Sequence, residues 1–188
     1  IVGDGFVLLA ADQSASRSIV LFKDDEDKIL ALDKHKLIAS AGFGVLVSQL
    51  CSPAGDRYQF CEYIQKNIHL YQYRNGTPLS TAAATKYTRN ELAQALRKNP
   101  FQVNMLIGGY DEKTGPHLFY MDYLASQQEV KFGSHGHGSN FTLSVLDRYY
   151  QKNMSEQEAI GLLKKCIAEV QKRLVISLPK FKVVFSFA

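Results

Sequence analysis

Gly133-Ser134-His135-Gly136-His137-Gly138-Ser139, running straight into Asn140-Phe141-Thr142-Leu143-Ser144-Val145-Leu146-Asp147-Arg148-Tyr149-Tyr150, is the stretch around which the chain is organised. It is a loop of small residues opening into an amphipathic run. Leu143, Leu146 and Tyr150 fall at helical spacing, with Asp147 and Arg148 turned toward water. Glycines at 133, 136 and 138 remove the Cβ atoms that would keep another backbone or a substrate carbonyl at a distance. Two readings follow. Free N–H groups at a helix start can stabilise a developing oxyanion. Alternatively, the loop is a tight turn that seats a helix against a sheet.

Working outward, the chain before this loop is mostly strand. Ile1-Val2, Asp4-Gly5 and Phe6 to Asp12 read as a hairpin whose second strand is apolar on both faces, with Asp-Gly supplying positive φ angles at the turn. A loop around Ser14 to Ser18 follows. Short strands are expected at 19–22, 28–32 and 36–42, the first two joined by the acidic turn Asp24-Asp25-Glu26-Asp27. From Asp56 to Tyr73 the period turns helical, with Phe60, Tyr63, Ile64, Ile68 and Tyr71 on one face. Asn75-Gly76-Thr77-Pro78 stops that helix. A second helix, about Ser80 to Lys98, presents Ala84, Tyr87, Leu92, Ala95 and Leu96. Strands return at 103–107 and 117–123 across the turn 111–116, and a short one at 129–132 enters the glycine loop.

Beyond the loop and its helix, Ser155 with Glu158 is a capping box. It starts a helix carrying Ala159, Leu163, Cys166, Ile167, Val170 and Leu174 at helical period. Leu178-Pro179 breaks it, and 181–187 alternates as a final strand. Strand groups separated by two helix pairs imply an α+β, four-layer αββα sandwich. The whole of 1–188 is read as a single domain.

Composition narrows the function. Hydrophobic residues make up 46% and charged residues 21%, the balance of a globular chain with a sizeable core. The formal charge is only +4, and Lys164-Lys165 and Lys172-Arg173 sit among core positions of a helix, so a solvated face is expected and no nucleic-acid partner. Cys51, Cys61 and Cys166 are odd in number and widely spaced, reading as reduced, buried thiols. No run reaches membrane-spanning length, and the first residues form a strand pattern, so neither a membrane nor a leader is expected. His135-x-His137 lacks a cysteine or carboxylate at ligand spacing, so no metal and no cofactor is expected; a histidine packed at a turn or a subunit contact is the reading.

Several strings resemble 20S proteasome beta subunits, the beta-4 class in particular, within the N-terminal-nucleophile hydrolases. They are Lys23-Asp24-Asp25-Glu26-Asp27-Lys28, Phe60-Cys61-Glu62-Tyr63-Ile64-Gln65-Lys66-Asn67, Gly108-Gly109-Tyr110-Asp111-Glu112, Tyr120-Met121-Asp122-Tyr123-Leu124-Ala125, His135-Gly136-His137-Gly138, Leu143 to Tyr150, and Leu162-Leu163-Lys164-Lys165-Cys166 on to Lys172-Arg173. The resemblance runs in order through nearly the whole chain. It departs between Gly42 and Asp56, where roughly ten more residues stand than the family's short link has. That apolar insert, about Phe43 to Ser52, is expected to extend an element or to bury itself at a subunit contact. The resemblance also implies a family chain that begins a few residues before Ile1 and continues past Ala188 into another strand.

In catalytic members of the family the resemblance implies an N-terminal threonine whose own α-amine is the general base. A lysine lowers the amine's pKa, an aspartate holds the lysine, and a serine and a further aspartate relay protons. Carried over, Asp12 and Lys28 match the aspartate and the lysine. His137 replaces the serine and Leu174 replaces the second aspartate, although Arg173 and Ser177 fit the surrounding pattern. Residue 1 is isoleucine and no threonine precedes Thr77. Loss of a positioned proton carrier costs a factor of about 10² to 10⁴, so two losses leave little activity. The expectation is a vestigial site, not an enzyme, with Asp12 and Lys28 kept as a structural ion pair.

The function implied is that of a non-catalytic subunit completing a seven-membered beta ring of the core particle, between beta-3 and beta-5, facing the opposite beta ring and the alpha ring, in cytoplasm and nucleus. Two other readings stay open on sequence alone. One is an active threonine peptidase whose threonine lies outside this sequence. The other is a stand-alone sandwich domain that binds a ligand or partner.

Overall fold

The computed structural model describes residues 1–17, 20–42, 53–175 and 178–187. In chain order the elements are β1 (Phe6–Asp12), β2 (Ala15–Arg17), β3 (Val20–Lys23), β4 (Ile29–Ala31), β5 (Lys36–Gly42), α1 (Pro53–Asn75), α2 (Thr81–Ala95), β6 (Val103–Asp111), β7 (Gly115–Met121), β8 (Gln127–Glu129), α3 (Ser139–Tyr149), α4 (Glu156–Arg173) and β9 (Phe181–Phe187). Strands β4-β5-β6-β7-β8 form one antiparallel sheet, β1 pairs with β9, and β2 with β3. The insert Phe43–Ser52 lies outside the described residues.

Strand alternation sorts side chains into three apolar layers. Ile38, Met105, Ile107, Phe119 and Met121 pack with Phe60, Ile64, Ile68, Ala84 and Leu92 of α1 and α2. Their sequence neighbours Leu37, Ala39 and Leu118 point the other way, onto Val7 and Leu9 of β1. Phe6 and Leu8 then face the remaining side and pack with Leu146, Ala159, Leu162 and Cys166 of α3 and α4. Period-two side chains on a sheet buried from both sides give this sorting. The result is the four-layer αββα sandwich read from the sequence.

The layers approach closely at Gly108-Gly109 on β6. A Cβ at Gly108 would lie 2.7 Å from Val7 Cγ1 across the sheets, and one at Gly109 would lie 2.6 Å from Thr81 Oγ1 of α2. Only hydrogen fits on either face there.

Several local expectations change. At the first turn only Gly5 has positive φ (75°), and Asp4 does not, so glycine alone supplies the left-handed conformation. The stretch expected as a loop from Ser14 contains β2, because its backbone pairs with β3. Strand β8 falls earlier than the expected 129–132. The Asp122 carboxylate accepts N–H groups from Leu124 and Ser126 and turns the chain sooner. On α1, Tyr63 and Tyr71 are 47% and 41% exposed, off the core face. On α2 the buried face includes Thr81, Thr85 and Thr88. The Thr85 and Thr88 hydroxyls donate to carbonyls one turn back, 2.8 and 2.9 Å away, which removes the cost of burying them. The capping box forms as expected: Glu158 accepts from the Ser155 N–H at 2.9 Å, and the Ser155 hydroxyl accepts from the Glu158 N–H.

Candidate functional site

Strand β1 ends at Asp12, where the chain leaves the sheet and its carboxylate becomes available to neighbours. One oxygen, Oδ2, accepts the Ser14 N–H at 3.0 Å, an Asx turn that fixes the carboxylate's direction. Lys28, just before β4, donates to that oxygen at 2.7 Å and to the Ser14 carbonyl at 2.8 Å. The side chains of Lys28 and Asp12 are 17% and 27% exposed, so the pair is sheltered without being sealed. The Ser14 hydroxyl beside it is buried and has no hydrogen-bond partner among the described residues.

A second ion pair backs the first. Arg57 of α1 is buried and donates to Glu26, whose own N–H reaches the Gln13 carbonyl at 2.9 Å. Burial lowers the Arg57 pKa, while Cys61 and Asp12 act in the opposite direction, placing the guanidinium within electrostatic reach of the first pair. Sequence reading missed Arg57. Yet 57, 60, 61, 64 and 68 follow one helical stripe, and an arginine on a core stripe signals a buried counter-charge.

The backbone nitrogen of Ile1 donates to the Leu8 carbonyl at 2.9 Å. Leu8 stands four residues before Asp12, about 13 Å along an extended strand. Ile1 itself packs with Leu146 and Met154, away from the Asp12–Lys28 pair.

The glycine loop serves as a turn. Gly136 takes φ 88°, Ser139 N–H donates to the Gly136 carbonyl, and Phe141 and Thr142 N–H groups both donate to the Gly138 carbonyl. Thr142 Oγ1 reaches Ser134 Oγ at 2.8 Å. These N–H groups already have acceptors, which favours the structural reading of the loop over an oxyanion hole. His135 stacks on Tyr120 with centroids 4.0 Å apart, and its Nε2–H donates to the Met105 carbonyl at 3.1 Å. Burial lowers its pKa.

A family model described as "Proteasome subunit" matches residues 1–185. This chain belongs to the proteasome subunit family. It is 54% identical over 181 residues to "Proteasome subunit beta type-2-B" of Arabidopsis thaliana, covering 96% of this chain and 86% of that protein. It is 47% identical over 176 residues to "Proteasome subunit beta type-2" of Dictyostelium discoideum, covering 92% and 84%. Against "Proteasome subunit beta type-4" of Saccharomyces cerevisiae it is 41% identical over 170 residues, covering 89% and 81%. The relatives carry both type-2 and type-4 names, so they establish a proteasome beta subunit without separating the beta-4 class.

Among the described residues, none of His137, Leu174 and Arg173 forms a hydrogen bond or ion pair with Asp12 or Lys28. His137 is exposed at the loop tip and makes no hydrogen bond among the described residues. His135 bonds to β6, and among the described residues no group of three or more His, Cys, Asp or Glu is placed to hold a metal ion. Leu174 caps α4, with its N–H on the Val170 carbonyl at 2.9 Å. Its half-buried side chain lies beside Gly138, where a Cβ would meet Leu174 Cδ1 at 3.8 Å. Arg173 pairs with Glu169 at 2.6 Å and lies over the Phe141 ring. Ser177 lies outside the described residues. Among the described residues no helix is long and apolar enough to cross a membrane.

Proposed function

We propose that this chain is a non-catalytic, structural beta subunit of the 20S proteasome core particle, of the beta-4 class. It completes the seven-membered beta ring and braces the neighbouring subunits that carry working threonines in ubiquitin-dependent protein degradation. The observation that carries this reading is the hydrophobic side chain of Leu174, packed beside Gly138 where the resemblance calls for a proton-relaying aspartate. A leucine holds no proton, and the partner position carries an exposed His137. Asp12 and Lys28 then serve as a vestige: an ion pair that ties the end of β1 to the start of β4.

Ring neighbours of the beta-3 and beta-5 classes, contacts to the opposite beta ring and to the alpha ring, and residence in cytoplasm and nucleus belong to the same proposal. Phe22, Tyr58 and Tyr73 support a covered surface, since each is a large ring more than half exposed on the single chain. Native mass spectrometry of the endogenous protein tests the reading. A very large assembly containing fourteen-subunit beta double rings, about the closed symmetry such contacts build, is the expected result, and a soluble monomer contradicts it. Cross-linking of that assembly identifies the neighbours.

A further inference from the structure

Helix α1 is apolar on two sides. Phe60, Ile64 and Ile68 enter the core, whereas Tyr58, Tyr63, Leu70 and Tyr73 stand on the outer side with 43% to 86% of their surface exposed. Beside that outer stripe, α1 and α2 leave a cleft of about 290 Å³. Phe60 and Phe101 form its floor, their rings tilted with centroids 5.1 Å apart. Tyr63 and Glu91 form one wall, and Ala95 and Lys98 line the other end. The Tyr63 hydroxyl donates to Glu91 Oε2 at 2.9 Å, which fixes the carboxylate at the aromatic wall. Glu91 Oε1 accepts no hydrogen bond among the described residues.

We propose that this cleft seats an arginine side chain from a neighbouring subunit of the particle. The proposal rests on the function argued above, which supplies the neighbour. The Tyr63 and Phe101 rings, set over the buried Phe60, with a carboxylate held at their edge, form the complement of a guanidinium: the plane stacks on an exposed ring, and its N–H fork meets the free carboxylate oxygen. An ammonium offers no plane to stack, and an aliphatic side chain would leave Glu91 desolvated without a partner. Lys98, in the turn past the end of α2, lines the same cleft, so the incoming cation is expected at the end formed by Tyr63 and Glu91. The charge on Glu91 is also felt inside the fold. The Tyr87 hydroxyl is pushed up to about 12, first by burial, then by its hydrogen bond with Tyr63 and by Glu91. Leu70 and Tyr73, exposed further along α1, give a protein partner additional apolar surface that a small ligand would not use.

The test is made on intact particles. Cells express the wild-type chain together with a tagged Glu91→Lys, Glu91→Gln or Glu112→Lys chain, and the share of each in purified particles is measured by mass spectrometry. Glu112 is the control, an exposed carboxylate in the turn between β6 and β7, away from the outer face of α1. Glu91→Lys is expected to fall about tenfold, equivalent to 1.4 kcal/mol, and Glu91→Gln several-fold, with Glu112→Lys unchanged. A cryo-EM map of the wild-type particle is expected to show a guanidinium hydrogen-bonded to Glu91. Equal incorporation of Glu91→Lys, or a map in which the cleft faces solvent or holds any other side chain, overturns the inference while leaving the subunit role intact. Particles that lack this chain altogether overturn the subunit role instead.

Discussion

Two sheltered aspartate–lysine pairs, Asp33–Lys36 and Asp12–Lys28, are built to one local plan. Asp33 accepts the His35 N–H at 2.8 Å and the Lys36 ammonium at 2.8 Å; Asp12 accepts the Ser14 N–H at 3.0 Å and the Lys28 ammonium at 2.7 Å. In each, an Asx turn aims a carboxylate at a lysine. The pairs differ in reach and shelter. Asp33 and Lys36 are three residues apart, 7% and 4% exposed, and close the turn between β4 and β5. Lys28 comes sixteen residues after Asp12, and the pair keeps partial access to water. Chemistry in this fold is therefore not written in the pair itself, which serves a plain turn equally well. On the proposed function it depends on proton carriers elsewhere, at the positions the family resemblance assigns to His137 and Leu174.

Breaking the tighter pair carries the largest expected effect. Lys36→Ala leaves Asp33 charged and buried, a loss of about 3–5 kcal/mol in urea unfolding of the chain. Gly109→Ala comes next. Its new methyl would lie 2.6 Å from Thr81 Oγ1 and 2.8 Å from Lys36 Cγ, and the strain amounts to about 1–3 kcal/mol by the same measurement. Lys28→Ala costs less, about 1–2 kcal/mol, because water can solvate the abandoned Asp12. If Lys28→Ala proved costlier than Lys36→Ala, shelter would not be what separates the two pairs.

A smaller effect involves pH. His135 has its pKa lowered by burial, below an ordinary value near 6.5. The unfolded chain therefore takes up the proton first as pH falls. The stability is present above about pH 6.5 and is lost as pH drops through that value toward the lowered folded pKa. The unfolding midpoint is expected to decline between pH 7 and 5, with a flatter profile in His135→Gln. The smallest effect is at the surface: Lys180→Ala breaks an exposed pair with Asp24, and no change in the midpoint is expected.

The sequence was most informative where structure is set by near neighbours. The capping box at Ser155, the alternation of 181–187 and the glycine loop before α3 were all legible, because their causes lie within a few residues. So was the Asp12–Lys28 pair, through the family resemblance. Arg57 and Glu26 meet across thirty-one positions, and nothing in either local string names its partner, although an arginine on a core stripe signals that one exists. The threonine face of α2 was missed for a different reason. Thr85 and Thr88 satisfy their hydroxyls within the helix and pack as apolar residues, so polarity alone misassigns them. Spacing alone puts Tyr63 on the core face, yet it stands at the cleft with Glu91, because α1 has apolar residues on two sides and periodicity cannot rank them.

The central claim, that the fold persists here without its peptidase chemistry, is tested most directly by treating intact particles with a threonine-directed covalent probe and resolving the adducts subunit by subunit. The expected result is labelling of neighbouring subunits and an unmodified mass for this one. An adduct on the mature amino terminus of this chain would contradict it.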